Sequence, residues 1–227
     1  MRKGAIVILA MLLLPAFAFA QNGPGLRRGH VTFGAGVLQS GGYDIGDATA
    51  QLRGNGPGTL PTPFTLFQAK SRLTAVTAPM IHIGIALSRT LAFETAASYG
   101  RPRLGVSITG DPEATAQELP GETVEQYLFE AGLTWQLPVR TGRRVAPFVA
   151  AGGGYLRQLH EDRTLVETGQ VYHAGIGARY WLRVGGKSSK AFGLRGDLRV
   201  NLRRHGIDFE NTMRAYPSAA LFAFIGL

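Results

Sequence analysis

The chain has 227 residues, no cysteine, and a formal charge of +9 from 24 basic and 15 acidic side chains. The lack of cysteine excludes disulfides and a cysteine-linked lipid anchor. A basic balance often points to nucleic acid, but the N-terminus addresses this chain for export. Anionic lipid headgroups are therefore the counter-charge to consider, and nucleic acid is not expected as a partner.

The first element is a targeting segment. Arg2 and Lys3 form a basic n-region, Ile6 to Leu14 an apolar h-region, and Ala18-Phe19-Ala20 an A-x-A site before Gln21. Residues 1–20 read as a cleaved Sec-type signal peptide, because the apolar run is too short to span a bilayer as a helix. Cleavage removes Arg2 and Lys3, which lowers the charge from +9 to +7 and leaves one domain over 21–227.

Beyond Gln21 the dominant pattern has period 2, the signature of strands with two unlike faces. Val31, Phe33, Ala35 and Val37 alternate with Gly34 and Gly36. Ile81, Ile83, Ile85 and Leu87 alternate with His82 and Gly84, and Leu91, Phe93, Ala97 and Tyr99 with Glu94. Tyr127, Phe129, Leu133 and Trp135 alternate with Glu130 and Gly132. Segment 145–157 is mixed, with Phe148, Ala150 and Leu156 set against Gly153, Tyr155 and Arg157. Tyr172, Ile176, Tyr180 and Leu182 alternate with His173, Gly175, Gly177 and Arg179. Leu194, Leu198, Val200 and Leu202 alternate with Arg195, Asp197, Arg199, Asn201 and Arg203. Segment 215–227 is apolar on both parities, so its faces stay open.

These eight segments are joined unevenly. Links 39–78 and 101–122 are long, whereas the one at Ser88-Arg89-Thr90 is a tight turn. Long connections at one end and short turns at the other are the organisation of an antiparallel up-and-down transmembrane β-barrel. The fold expectation is thus all-β and eight-stranded. Ten strands are the alternative, because Phe64–Phe67 within 39–78 could belong to a further hairpin.

Three features turn the greasy face outward. Glycines crowd the charged parity (Gly34, Gly36, Gly84, Gly132, Gly153, Gly175 and Gly177), where they suit a narrow interior better than a solvated face. Aromatics mark both ends of the apolar face, with Tyr99, Tyr127 and Tyr172 toward the outer rim and Trp135, Tyr180 and Phe192 toward the inner one. Tyr127 to Trp135 spans about 26 Å along the strand, or about 19 Å vertically at a 45° tilt, near the height of an apolar band. Glu94, Glu130, Arg179, Arg195, Asp197 and Arg199 share the inward parity. Three acids and three arginines inside a barrel must pair, so a lumenal ion-pair network is expected.

With these motifs the chain resembles the small outer-membrane β-barrel superfamily, the OmpA-type and opacity-type transmembrane domains of Gram-negative bacteria. The carriers are P-F-V-A-A-G-G-G-Y at Pro147–Tyr155, Y-H-A-G-I-G-A-R-Y at Tyr172–Tyr180 and G-L-R-G-D-L-R-V at Gly193–Val200. The resemblance implies residence in the bacterial outer membrane, insertion by the barrel-assembly machinery and a monomeric state. The chain differs from it in closing on Phe224-Ile225-Gly226-Leu227 instead of a terminal aromatic residue.

Chemistry-bearing motifs are sparse. Arg195-Gly196-Asp197 spells an integrin-binding tripeptide, but it lies mid-strand with Arg and Asp facing inward. His30, His82 and His173 fall on distant strands and assign no shared metal. One family of lipid A-trimming barrels uses a His-x-Ser pair. The comparable spacings here, His82-Ile83-Gly84 and His173-Ala174-Gly175, offer no hydroxyl nucleophile. The loops toward the outer rim carry Arg53, Lys70, Arg72, Arg101, Arg103 and Arg163, candidates for contact with lipopolysaccharide phosphates. The expectation is a non-enzymatic envelope-structural or surface-interaction barrel without cofactor or metal. A narrow channel is the alternative, and a lipid A-modifying enzyme comes third.

Overall fold

The computed structural model describes residues 27–52, 64–110, 117–138, 144–161, 164–183, 190–208 and 212–227. The signal segment 1–20 lies outside these residues, as do Arg53 and Arg163.

Eight strands close into one antiparallel barrel: β1 (Val31–Ser40), β4 (Val76–Ala86), β5 (Leu91–Gly100), β8 (Glu125–Gln136), β9 (Val145–Leu159), β10 (Val166–Arg183), β11 (Ala191–His205) and β12 (Arg214–Gly226). Each pairs with the next in that order, and β12 returns to β1 from Thr32↔Gly226 to Ser40↔Ser218. Closure leaves no barrel edge to recruit another chain. β9 and β10 outrun the alternating segments and pair from Val166↔Leu159 to Tyr180↔Val145. Residues 158–159 and 166–169 are therefore strand.

The two long links are not irregular loops. They fold into a separate four-stranded antiparallel sheet in the order β2 (Tyr43–Leu52), β3 (Phe64–Leu73), β6 (Arg103–Thr109) and β7 (Gln117–Thr123). Only Gly41-Gly42 separates β1 from β2, and Arg101-Pro102 separates β5 from β6. Hairpins β1/β4 and β5/β8 thus continue past the barrel rim and join each other through β3 and β6. Phe64–Phe67 belongs to this sheet, so the extra strands lie outside the barrel and the closed count stays at eight.

Burial follows the alternation. Along β11, Ala191 to Arg203 are buried at odd positions and more exposed at even ones. Two expectations change. Gly153 pairs with Ala131 and Tyr172, which face out, so it belongs to the outer wall; Gly152 and Gly154 take the inward positions. The strand is locally so poor in large side chains that its sequence does not declare a parity. In β12 the faces become clear: Tyr216, Ser218, Ala220, Phe222 and Phe224 are buried, while Leu221 and Ile225 are outside.

The inward glycines make room. A Cβ at Gly177 would collide with the ring of Phe148 and the carboxylate of Asp197, and one at Gly84 would meet the Thr32 hydroxyl. The interior is filled in layers. Near the short turns Ala86, Ala92, Trp181, Ala191 and Phe224 form an apolar floor, with Trp181 edge-on to Phe224 at 4.8 Å. Toward the long links Leu38, Met80, Leu128, Leu156, Val171 and Phe222 form a second apolar cluster. Between these two lies the charged layer.

Candidate functional site

All six residues of the expected lumenal network meet in one chain of contacts. Arg195 from β11 donates through Nη1 to both carboxylate oxygens of Glu94 on β5, each at 2.7 Å. Its Nε and Nη2 grip Asp197 at 2.9 and 3.0 Å, two residues along the same face. Arg199 continues the line, donating to Asp197 at 2.6 Å and to Glu130 at 3.3 Å. Arg179 reaches Glu94 at 2.5 Å, and the Thr134 hydroxyl donates to the same carboxylate at 2.5 Å. Two histidines join: His82 Nε2 lies 3.4 Å from Glu94, and His173 Nδ1 lies 3.1 Å from Glu130.

Three carboxylates against three guanidiniums balance in charge, which a low-dielectric interior demands. The Arg195 guanidinium also lies 4.3 Å from the centre of the Phe148 ring and 5.1 Å from that of Phe222, so apolar faces cover what the acids leave bare. The void left among His82, Glu94, Glu130, Thr134, His173, Arg195 and Arg199 is only about 20 Å³, room for about one water. Arg195 and Asp197 are therefore locked to each other, and the Arg-Gly-Asp tripeptide is not presented on a loop.

A second layer closes the mouth. Arg203, with 1% of its surface exposed, donates to the carbonyls of His205 and Ile207 at 2.8 Å and to Gln158 Oε1 at 3.0 Å. It also donates to the Tyr43 hydroxyl, over whose ring it lies at 5.1 Å. Tyr43 stacks on Tyr216 at 4.8 Å. Tyr43 opens β2, beyond the rim, and burial pushes its phenol above the usual tyrosine range. The end of β11 and the turn that follows it are thereby drawn inward, with His205 and Gly206 at positive φ (62° and 81°). Arg203 held the inward parity in the sequence. Its partners Tyr43 and Gln158 come from β2 and β9, and no spacing links them to it.

The girdle residues lie on the outer wall. Tyr99 and Tyr127 are register partners with rings 5.0 Å apart, while Tyr172, Tyr180 and Phe192 are exposed; Trp135 is partly covered. The loop cations divide. Arg101 and Arg103 are exposed at the β5–β6 junction. Lys70 and Arg72 instead face Asp44, at 2.9 and 3.9 Å, and line a cleft of about 860 Å³ with Tyr43, Met213 and Arg214.

No family model matches the chain, and no curated protein matches it. Among solved structures, it is similar to the outer membrane protein OprG from Pseudomonas aeruginosa (11% identity, 90% of this chain and 98% of that chain, TM-score 0.48). It is also similar to Neisserial surface protein A, NspA (14%, 87% and 96%, TM-score 0.48). The outer membrane protease OmpT from Escherichia coli is a more distant likeness (10%, 87% and 94%, TM-score 0.28). At such identities and scores nothing about their activities passes to this chain. What the chain's own hydrogen-bonded strand order establishes is the architecture: a closed, eight-stranded antiparallel barrel with an apolar outer wall and a salt-bridged interior.

Proposed function

We propose that this protein is an integral barrel of the bacterial outer membrane, without catalytic role, serving envelope structure or surface interaction as a monomer. The single observation carrying this is the inversion of its faces. Ile176 and Leu198 on the outer wall are each 62% exposed, whereas Arg195 inside is 1% exposed. A water-soluble barrel needs the opposite arrangement, because a continuous apolar wall of this extent is a contact surface for lipid or another apolar phase. No helix among the described residues is long and apolar enough to cross a membrane, so any crossing is made by strands. The signal segment 1–20 and barrel-assembly machinery supply the route in this reading, and lipopolysaccharide supplies the outer-leaflet partner. Arg101 and Arg103 are its best-placed loop contacts.

Heat-modifiable electrophoretic migration of the membrane-extracted protein tests it. A folded barrel migrates faster before boiling than after. A protein that is recovered in the soluble fraction and shows one mobility would refute the membrane assignment.

A further inference from the structure

We propose a binding site for the headgroup of a phosphorylated glycolipid on the outer wall of β9, β10 and β11, a role that rests on the membrane reading above. Three observations meet there. The first is a pair of cations. Arg157 and Arg204 both point outward and are exposed, on β9 and β11. Across the intervening strand they are the register partners of Thr168 and Gln170. Strand spacing and rise put their backbones about 12 Å apart. Neither has a carboxylate in salt-bridge reach among the described residues.

The second is a cleft of about 510 Å³ whose walls include Thr168 and Gln170, the partners of those arginines, with Tyr155, Glu167, His205 and Asp208. Its size suits one or two sugar rings. Its chemistry suits hydroxyls: the Glu167 carboxylate accepts and the Gln170 amide nitrogen donates, while the tyrosine face offers stacking. The positive φ of His205 and Gly206 belongs to the turn that forms one wall.

The third is what lies beneath. Tyr172 hydrogen-bonds Gln170 at 3.0 Å, and below it the outer wall continues through Gly153, Ala174, Ile176 and Leu202. Only a molecule that is anionic at one end and apolar at the other matches arginines set directly above such a wall. A free sugar phosphate would leave the wall uncovered, and a plain phospholipid would leave the cleft unused. The occupant is therefore a glycolipid whose phosphate Arg157 and Arg204 hold by charge-assisted hydrogen bonds, with its sugar in the cleft and its chains on the wall.

Native mass spectrometry of the full chain in detergent, with diphosphoryl lipid A or phosphatidylglycerol added, reads this directly. The native protein retains lipid A in preference to phosphatidylglycerol. Arg157→Glu with Arg204→Glu lowers lipid A retention about tenfold, roughly the loss of one charge-assisted hydrogen bond. Arg183→Glu, at the opposite end of the barrel, leaves it unchanged. If the double charge reversal disturbs folding, Arg157→Gln with Arg204→Gln gives the same direction of change. Equal retention by native and double-variant protein overturns the site. Equal retention of phosphatidylglycerol overturns the glycolipid assignment. Loss of the heat-dependent mobility shift in the native protein would instead overturn the membrane reading itself.

Discussion

Arg195 reaches across the barrel from β11 to hold both oxygens of Glu94 on β5 at 2.7 Å, while its other two nitrogens hold Asp197. One guanidinium thus ties two sides of the wall together and fills the space between them. The interior is a strut, and its parts depend on one another.

Glu94→Gln tests that dependence. The change leaves Arg179 and Arg195 buried with their shared carboxylate gone. We expect a loss of about 3–5 kcal/mol in urea-induced unfolding, followed by the gel mobility of folded and unfolded forms. Adding Arg195→Gln should cost less than the sum of the single changes, with coupling above about 1 kcal/mol. Strict additivity would show that the pair does not interact in solution.

The interior spacing can be probed from the glycine side. Gly177→Val places methyl groups against Phe148 and Asp197, where even a Cβ collides. A destabilisation of about 1–3 kcal/mol is expected from overpacking. The same substitution at Gly196, whose Cβ direction is open, should be close to neutral.

A filled lumen predicts electrical silence. In planar bilayers the unmodified barrel should show no stable single-channel steps, because charged and apolar layers occlude its axis. Glu94→Ala, Arg195→Ala and Arg203→Ala combined should produce measurable conductance if the barrel stays closed. A sizeable steady current from the unmodified protein would favour the channel reading.

The outer wall makes the converse prediction. Leu198→Arg or Ile176→Arg places a cation on the most exposed part of the wall. In a bilayer this should cost about 2–4 kcal/mol near the midplane. On a water-facing wall the same change would be neutral or improve solubility, so refolding into vesicles separates the two outcomes.

Tyr43 carries a pH signature. Burial raises its phenol, so the unfolded chain releases that proton near pH 10 while the folded chain still holds it. Stability from this group is complete below that pH and falls as pH rises through the folded value. The stability gap between the native protein and Tyr43→Phe should shrink as the pH rises above about 10. A gap constant over that range would mean that the phenol is not buried.

Much of the barrel was legible along the chain. Strand alternation sorts side chains by parity without any knowledge of neighbours, so the outward leucines and inward charges of β11 could be separated from sequence alone. The network members were legible for the same reason, though not their pairing. Three things were not. The 39–78 and 101–122 links hide strands because the alternation of β2 shifts parity at Gly46, where its register with β3 slips, and β7 has no alternation; β6 pairs with β3, and that contact forms only after two distant hairpins meet. Gly153 faces out because its register partners do. Arg203 finds Tyr43 across 160 positions.

The division has a physical basis. Period, charge balance and glycine content are properties of single strands, and they determined that the chain makes two-faced strands with a lumen full of paired charge. Closure at eight, the pairing Arg195–Glu94–Arg179, the inward-turned mouth and the outer cleft beside Arg157 and Arg204 are relations between strands far apart in sequence. They exist only once the register around the barrel is set, and the tertiary structure alone decided them.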